Sequence, residues 1–313
     1  MRYILKKAAV MLLTLLIISL LAFLAFEIIP ADPVEVMLGT DYSPERAEAL
    51  REELGLNVPL PERYINWLTG FFTGDMGISY GYRQSVNELL DGKVFVTACL
   101  SAIAFVLVVI ISIPMGIILA RFRGGIVDRV FSVLNQITMS VPPFFIAILF
   151  TSIFGLAMRL FVVGDFVSLD EDPAGFFTYL FFAALAIALP KSAMVAKLLR
   201  SSIISELGED YVRTAYSRGN DRSAVLWRHV LRNSMLPVIT FLAVTLADIV
   251  AGSIIIEQVF TIPGIGRMLI MSIGNRDHPV VLAIIMMISA LVLVVNFLAD
   301  VAYQYIDPRI RLE

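Results

Sequence analysis

Cysteine, histidine and tryptophan are scarce in this chain, at one, two and two copies among 313 residues. The single cysteine, Cys99, excludes an intrachain disulfide, and its place in an apolar run fits a buried structural thiol. The histidines, His229 and His278, stand apart, with no HExxH and no Cys/His cluster, which argues against a catalytic metal. Charge is thin as well: 16% of residues, against roughly 25% in a soluble domain. Enzyme signatures are missing too. Without a GxxxxGK[ST] the chain has no P-loop for ATP, and without GxSxG it has no nucleophile elbow. The lone Gly-x-Gly at Gly264–Gly266 follows Pro263 and reads as a turn. Nothing calls for a cofactor, or for nucleic acid as a partner.

What the chain has instead is grease, 58% of its residues, gathered into long uncharged runs. A spanning helix needs about 20 apolar residues. Six stretches qualify: Ala8–Ile29, Val94–Ala120, Val130–Met158, Phe176–Leu199, Met235–Phe260 and Val280–Tyr305. Pro142 and Pro143 should kink the third. Pro190 and Lys191 interrupt the fourth, which spans only if Lys191 snorkels or meets a partner. The first run follows Arg2, Lys6 and Lys7, but it is longer than a signal-peptide core and lacks an A-x-A site, so it reads as a retained span.

Lys and Arg mark the cytoplasmic side. The N-terminus is basic, and Arg121–Arg129 holds three Arg against Asp128. Lys191–Arg232 holds eight bases against four acids. The alternate segments reverse the sign: 31–93 has eleven acids and five bases, and 159–175 has four acids and one base. Both termini are expected inside, with Arg267 and Arg276 a mild exception on the outer side. Within the outer segment, Ser43-Pro44 is an N-cap and N1 pair and Gly55 a C′ residue, predicting a helix over 44–54. A second helix is expected over Pro61–Phe72, with Tyr64, Trp67, Phe71 and Phe72 available to the membrane interface. The segment has too little apolar mass for its own core and reads as an external cap.

Ionisable groups at bilayer depth are costly and usually face a partner or a water path. Asp248 and Glu257 are the candidates for lining a pathway. Nine residues apart, at about 100° per residue, they point to opposite faces and cannot share one site. Glu257 could equally cap the turn that follows it. Asn296 and Asp300, continued by Tyr303 and Asp307, form a polar stripe on the last span, read as an interhelical seam.

A long basic stretch, YVRTAYSRGNDRSAVLWRHVLRNSMLP (211–237), leads from the fourth span into the fifth. Glu206–Arg218 is rich in helix formers, Gly219-Asn220 is a stop, and Asp221 can cap a second helix over Arg222–Ser234. A solvated positive-inside loop is the bland reading. A cationic helix pair with a Gly break exceeds what topology requires and favours a docking surface for another protein.

This stretch resembles the cytoplasmic EAA loop of ABC-importer permeases, in the dipeptide/oligopeptide/nickel branch, with Arg213-Thr214-Ala215 where the generic pattern has Glu-Ala-Ala. Other motifs match the branch in order: IIPADPVEVMLG (28–39), LREELGLNVPLPERYINWL (50–68), GDMGISY (74–80), EQVFTIPGIGRMLI (257–270), NRDHPVV (275–281) and NFLADVAYQYIDPRIR (296–311). Asp248 and the loop at 159–175 depart from it.

The resemblance implies an all-α integral membrane protein of six spans with the type I ABC-importer permease fold. Its parts would be a first span (1–30), a partly helical external segment (31–93) and a five-helix core (94–313) with a coupling loop at 200–234. Tyr211, Arg213, Thr214, Ala215 and Gly219 would couple it to the ATPase. The partners implied are a second homologous permease, two ATP-binding cassette subunits, an external solute-binding protein and the lipid bilayer. Cargo would be a short peptide or, within the same family, nickel, glutathione or an opine. The competing class is a secondary transporter working alone; the opposed faces of Asp248 and Glu257 count against its ion-coupling cluster. A membrane-embedded enzyme lacks any nucleophile–base pair.

Overall fold

The computed structural model describes residues 2–28 and 33–306, and among them every regular element is helical. The apolar runs become helices because a chain without water must satisfy its backbone internally. In chain order the first are α1 (Arg2–Ile28), α2 (Pro33–Leu38), α3 (Pro44–Glu53), α4 (Leu60–Thr73) and α5 (Val86–Leu90). There follow α6 (Lys93–Arg121), α7 (Ile126–Ser140), α8 (Pro143–Phe150) with a π turn at Thr151–Ala157, and α9 (Pro173–Glu206). The last are α10 (Asp210–Ser217), α11 (Arg222–Ala224) with a π turn at Val225–Val230, α12 (Leu231–Phe260), α13 (Ile265–Gly274) and α14 (His278–Ile306). Among the described residues five stretches are long and apolar enough to cross a membrane, and six if α7 and α8 make one broken span.

That broken span departs from the expected kink. The two halves meet at 97°. Val141 is driven into an extended conformation (φ −86°, ψ 125°) by the proline after it, Pro142 is extended too, and Pro143 opens a new helix at its first turn. Two adjacent prolines thus end one helix and start another. The fourth span shows the opposite outcome: α9 runs unbroken through Pro190 and Lys191. Pro190 is buried among small neighbours, with Ala186, Ala188, Ala193 and Ala196 all enclosed, and tertiary packing outweighs one lost backbone bond.

The chain divides into two compact units. One comprises Met1–Val96 and Pro263–Val294. Ser43 caps α3 by accepting from the Arg46 amide at 3.2 Å, and Gly55 takes φ +65° just after the helix, as expected. Phe72 of α4 is exposed, while two of its other rings pack on α1. Tyr64 and Trp67 pack on Phe23 of α1, with centroids 5.4 and 5.9 Å away, and the Tyr64 hydroxyl meets Ser19 at 2.8 Å. In the same unit Asp277, almost wholly buried, accepts from the Ser79 hydroxyl and from the Tyr80 and Gly81 amides, pinning the turn between α4 and α5.

The other unit comprises Thr97–Ile262 and Val295–Glu313. Its centre is α9, packed against α7, α8 and α12. At Gly116 of α6, an added Cβ would lie 2.9 Å from the Leu199 side chain, so the missing side chain sets how closely α6 and α9 approach. Cys99 is a free, half-buried thiol on α6.

Candidate functional site

The basic stretch folds as an elbow. Rather than one helix over Glu206–Arg218, α9 runs on to Glu206, and after a turn a separate helix α10 begins at Asp210. Arg218 closes it and Gly219 turns left-handed at φ +83°, a conformation that suits a residue without Cβ. Asp221 then caps α11 through the Ser223 and Ala224 amides at 3.2 and 3.3 Å. The second helix runs on into the fifth span: the π turn feeds directly into α12, so Arg222–Phe260 is one continuous helical stretch. A push on the elbow therefore acts on the end of a spanning helix.

α10 has two faces. Val212 and Ala215 are buried and hold it to its own chain, whereas Arg213, Thr214, Tyr216 and Arg218 are exposed. Of the five residues expected to couple, Arg213, Thr214 and Gly219 therefore reach the surface, Tyr211 is half-buried, and Ala215 faces inward. The Tyr211 hydroxyl donates to Glu206. Burial, helped by the Glu206 carboxylate, pushes this phenol up to about 12. Two further bonds brace the elbow: the Arg222 guanidinium donates to the Arg121 carbonyl at 3.2 Å, and the Ser202 hydroxyl to the Ser234 carbonyl at 3.0 Å.

One residue pair that sequence reasoning missed stands beside the elbow. Arg200 of α9 grips Asp128 of α7 in a two-pronged ion pair, Nε–Oδ1 at 2.7 Å and Nη2–Oδ2 at 2.8 Å. The Gly124 amide adds a third donor at 2.8 Å. Arg200 had counted only as one of several orienting charges. A signal was present: Asp128 is the single acid of its loop, in the first turn of α7.

The two intramembrane acids have different partners. Asp248 accepts from Lys191 Nζ at 2.9 Å, which supplies the partner that Lys191 needed in the fourth span. The pair sits near the middle of both helices; the Asp248 side chain is 56% exposed and that of Lys191 21%. Glu257 is fully buried. Its carboxylate accepts from Thr97 Oγ1 at 2.7 Å and Ser253 Oγ at 3.3 Å, joining α6 to α12. Of the two candidates, Asp248 is thus the more exposed and Glu257 the enclosed one. The Glu257 backbone carbonyl also accepts from the Ile262 amide in the turn that follows. Asn296 and Asp300 are half-buried on α14, and Asp307 of the expected stripe lies outside the described residues.

The sequence matches two family descriptions in tandem: the N-terminal part of the binding-protein-dependent transport system membrane component over residues 1–101, and the binding-protein-dependent transport system inner membrane component over residues 112–312. Among similar proteins is a probable peptide ABC transporter permease protein of Sinorhizobium fredii, 33% identical and covered over 99% of each chain. A putative peptide permease protein of Brucella suis is 34% identical over 100% of this chain and 99% of its own. The dipeptide transport system permease protein of Escherichia coli is 32% identical over 99% of each.

Proposed function

Because the chain belongs to the binding-protein-dependent transport system inner membrane component family, and so is a membrane-spanning permease subunit and not an enzyme, we propose that its cargo is a short peptide. Membership implies ATPase and solute-binding partners and a place in the inner membrane. The full assembly we infer is this chain, a second permease, two ATP-binding cassette subunits and one external binding protein. In this reading both termini and the elbow at 206–234 are cytoplasmic, 31–93 lies outside, and 94–313 forms the permease core.

The observation that carries the coupling role is the division of α10 into a seated face and a free one. Arg213, Thr214 and Arg218 stand where a partner can reach them, while Val212 and Ala215 hold the helix in place. Gly219 sets the bend, and Tyr211 fixes the start of α10 to the end of α9. ATP-driven closure of the ATPases moves this elbow. Its continuity with α12, its bond to Arg121 and the nearby Arg200–Asp128 pair pass the motion to α6, α7 and α9.

The peptide assignment rests on relatives named for peptide transport along their whole length. It is supported by the Lys191–Asp248 pair, a cation and an anion side by side at mid-span, the complement of a zwitterion's two ends. The test is uptake of a labelled dipeptide by cells expressing all subunits, with unlabelled peptides, nickel, glutathione and an opine as competitors. Saturable, ATP-dependent uptake that only peptides compete for is the expected result. Uptake of one of the other solutes without any of peptide would overturn the assignment.

A further inference from the structure

Beyond the elbow and the mid-span charges, the unit formed by Met1–Val96 and Pro263–Val294 holds a cavity of about 380 Å³. It lies between the C-terminal end of α1, α4, the turn after α4 and the start of α14. That volume falls in the range of small-molecule sites, about 300–1,000 Å³.

Its walls are chemically divided. Phe23, Trp67 and Tyr80 make an aromatic floor. Arg63 and Glu27 meet on its wall through one contact, Nη1–Oε1 at 3.3 Å, their side chains 22% and 36% exposed. A guanidinium has five donors, so this single bond leaves most of its capacity unused. Glu53 and Asp75 also line the cavity and bias it toward a cation. The Trp67 indole N–H is buried with no acceptor. A buried donor without a partner is costly, and its lining position makes an acceptor carried by a ligand the natural remedy. Burial also raises the Tyr80 phenol above its ordinary value, which keeps it a neutral donor.

We propose that this cavity is a binding site for a small zwitterion of amino-acid to dipeptide size. Its ammonium faces Glu27, Glu53 and Asp75, its carboxylate lies on Arg63, an acceptor takes the Trp67 N–H, and an apolar side chain rests on the ring of Phe23. The permease would thus hold cargo at the outer end of α1. The choice of peptide as ligand rests on the function proposed above; the site's chemistry does not.

The chain's two tryptophans make the test direct. The full chain, labelled with 5-fluorotryptophan and placed in phosphatidylcholine nanodiscs, gives two fluorine resonances, assigned by W227F. Titration with alanyl-phenylalanine up to about 10 mM should move the Trp67 resonance saturably and leave Trp227 in place. E27Q and R63Q should each weaken the response about tenfold or more, and the N-acetylated, amidated peptide should compete poorly. A Trp67 resonance that stays put, or one that responds equally to the blocked peptide, overturns the proposal. So does a resonance already shifted, and unresponsive to peptide, in nanodiscs containing phosphatidylethanolamine, because the zwitterion held is then a lipid headgroup. No ATPase or binding protein is present in this experiment. Peptide uptake with a silent Trp67 therefore refutes the cavity alone, and a responsive Trp67 without peptide uptake refutes the transport reading alone.

Discussion

Replacing Lys191 with Met separates the structural from the transport role of the mid-span pair. At 2.9 Å and an effective dielectric constant near 20, the gross attraction is about 6 kcal/mol, most of it offset by desolvating both charges. Leaving one member of a buried pair alone costs about 3–5 kcal/mol. Asp248 is 56% exposed, so the cost for Lys191→Met is smaller, about 1–3 kcal/mol. The double variant Lys191→Met/Asp248→Leu removes both charges, and its folding cost should be close to zero. Transport should not recover with stability. If the pair meets the ends of the cargo, labelled-dipeptide uptake, normalised to the amount of chain in the membrane, should fall about tenfold or more in both variants. A double variant that inserts normally and imports at the wild-type rate would show that the pair only holds α9 to α12.

Four further changes test the frame around it. Gly219→Ala introduces a Cβ where φ is +83° and nothing lies within 4 Å, so the cost is backbone strain alone, about 1 kcal/mol, seen as a lower melting temperature with weakened coupling. Gly116→Leu forces atoms against Leu199, which an added Cβ would approach to 2.9 Å; a loss of about 1–3 kcal/mol should appear in thermal unfolding of the detergent-solubilised chain. Glu257→Gln keeps an acceptor for Thr97, whereas Glu257→Leu does not, and the second should be the less stable by about 1–3 kcal/mol. Tyr211 has a folded pKa of about 12 against 10.0 ordinarily, so the folded state holds its proton more tightly. Its stabilising effect is complete below pH 10 and is lost between about pH 10 and 12; Tyr211→Phe should flatten that alkaline loss and leave stability at neutral pH free of any Tyr211 titration.

The spans and caps were legible because their causes are local. Long apolar runs fix helices, and Ser43, Gly55, Gly219 and Asp221 act within four residues of themselves. The outcome at prolines was only half legible. Pro142-Pro143 and Pro190 carry the same local penalty, yet one site bends the chain by 97° and the other sits in an unbroken helix. What separates them is an adjacent proline in one case and the packing of small residues in the other. The polar partnerships were hidden. Lys191 and Asp248 are 57 residues apart, Asp128 and Arg200 are 72 apart, and Ser79 and Asp277 are 198 apart. Only tertiary packing brings such groups together. In the elbow the composition gave the helices and the bend, but not the phase of α10, which turned Ala215 inward and left Thr214 outside.

That phase is also the most direct handle on the central claim, that α10 docks on an ATP-binding subunit. In a Cys99→Ser background, single cysteines at Thr214, Ala215 and Tyr216 are placed in the assembled transporter and treated with a short bifunctional thiol cross-linker in inside-out vesicles. The account predicts cross-links to the ATPase from positions 214 and 216, little from the buried position 215, and yields that change when ATP is bound. Absence of ATPase cross-links at all three positions in an assembly that still imports peptide would contradict it.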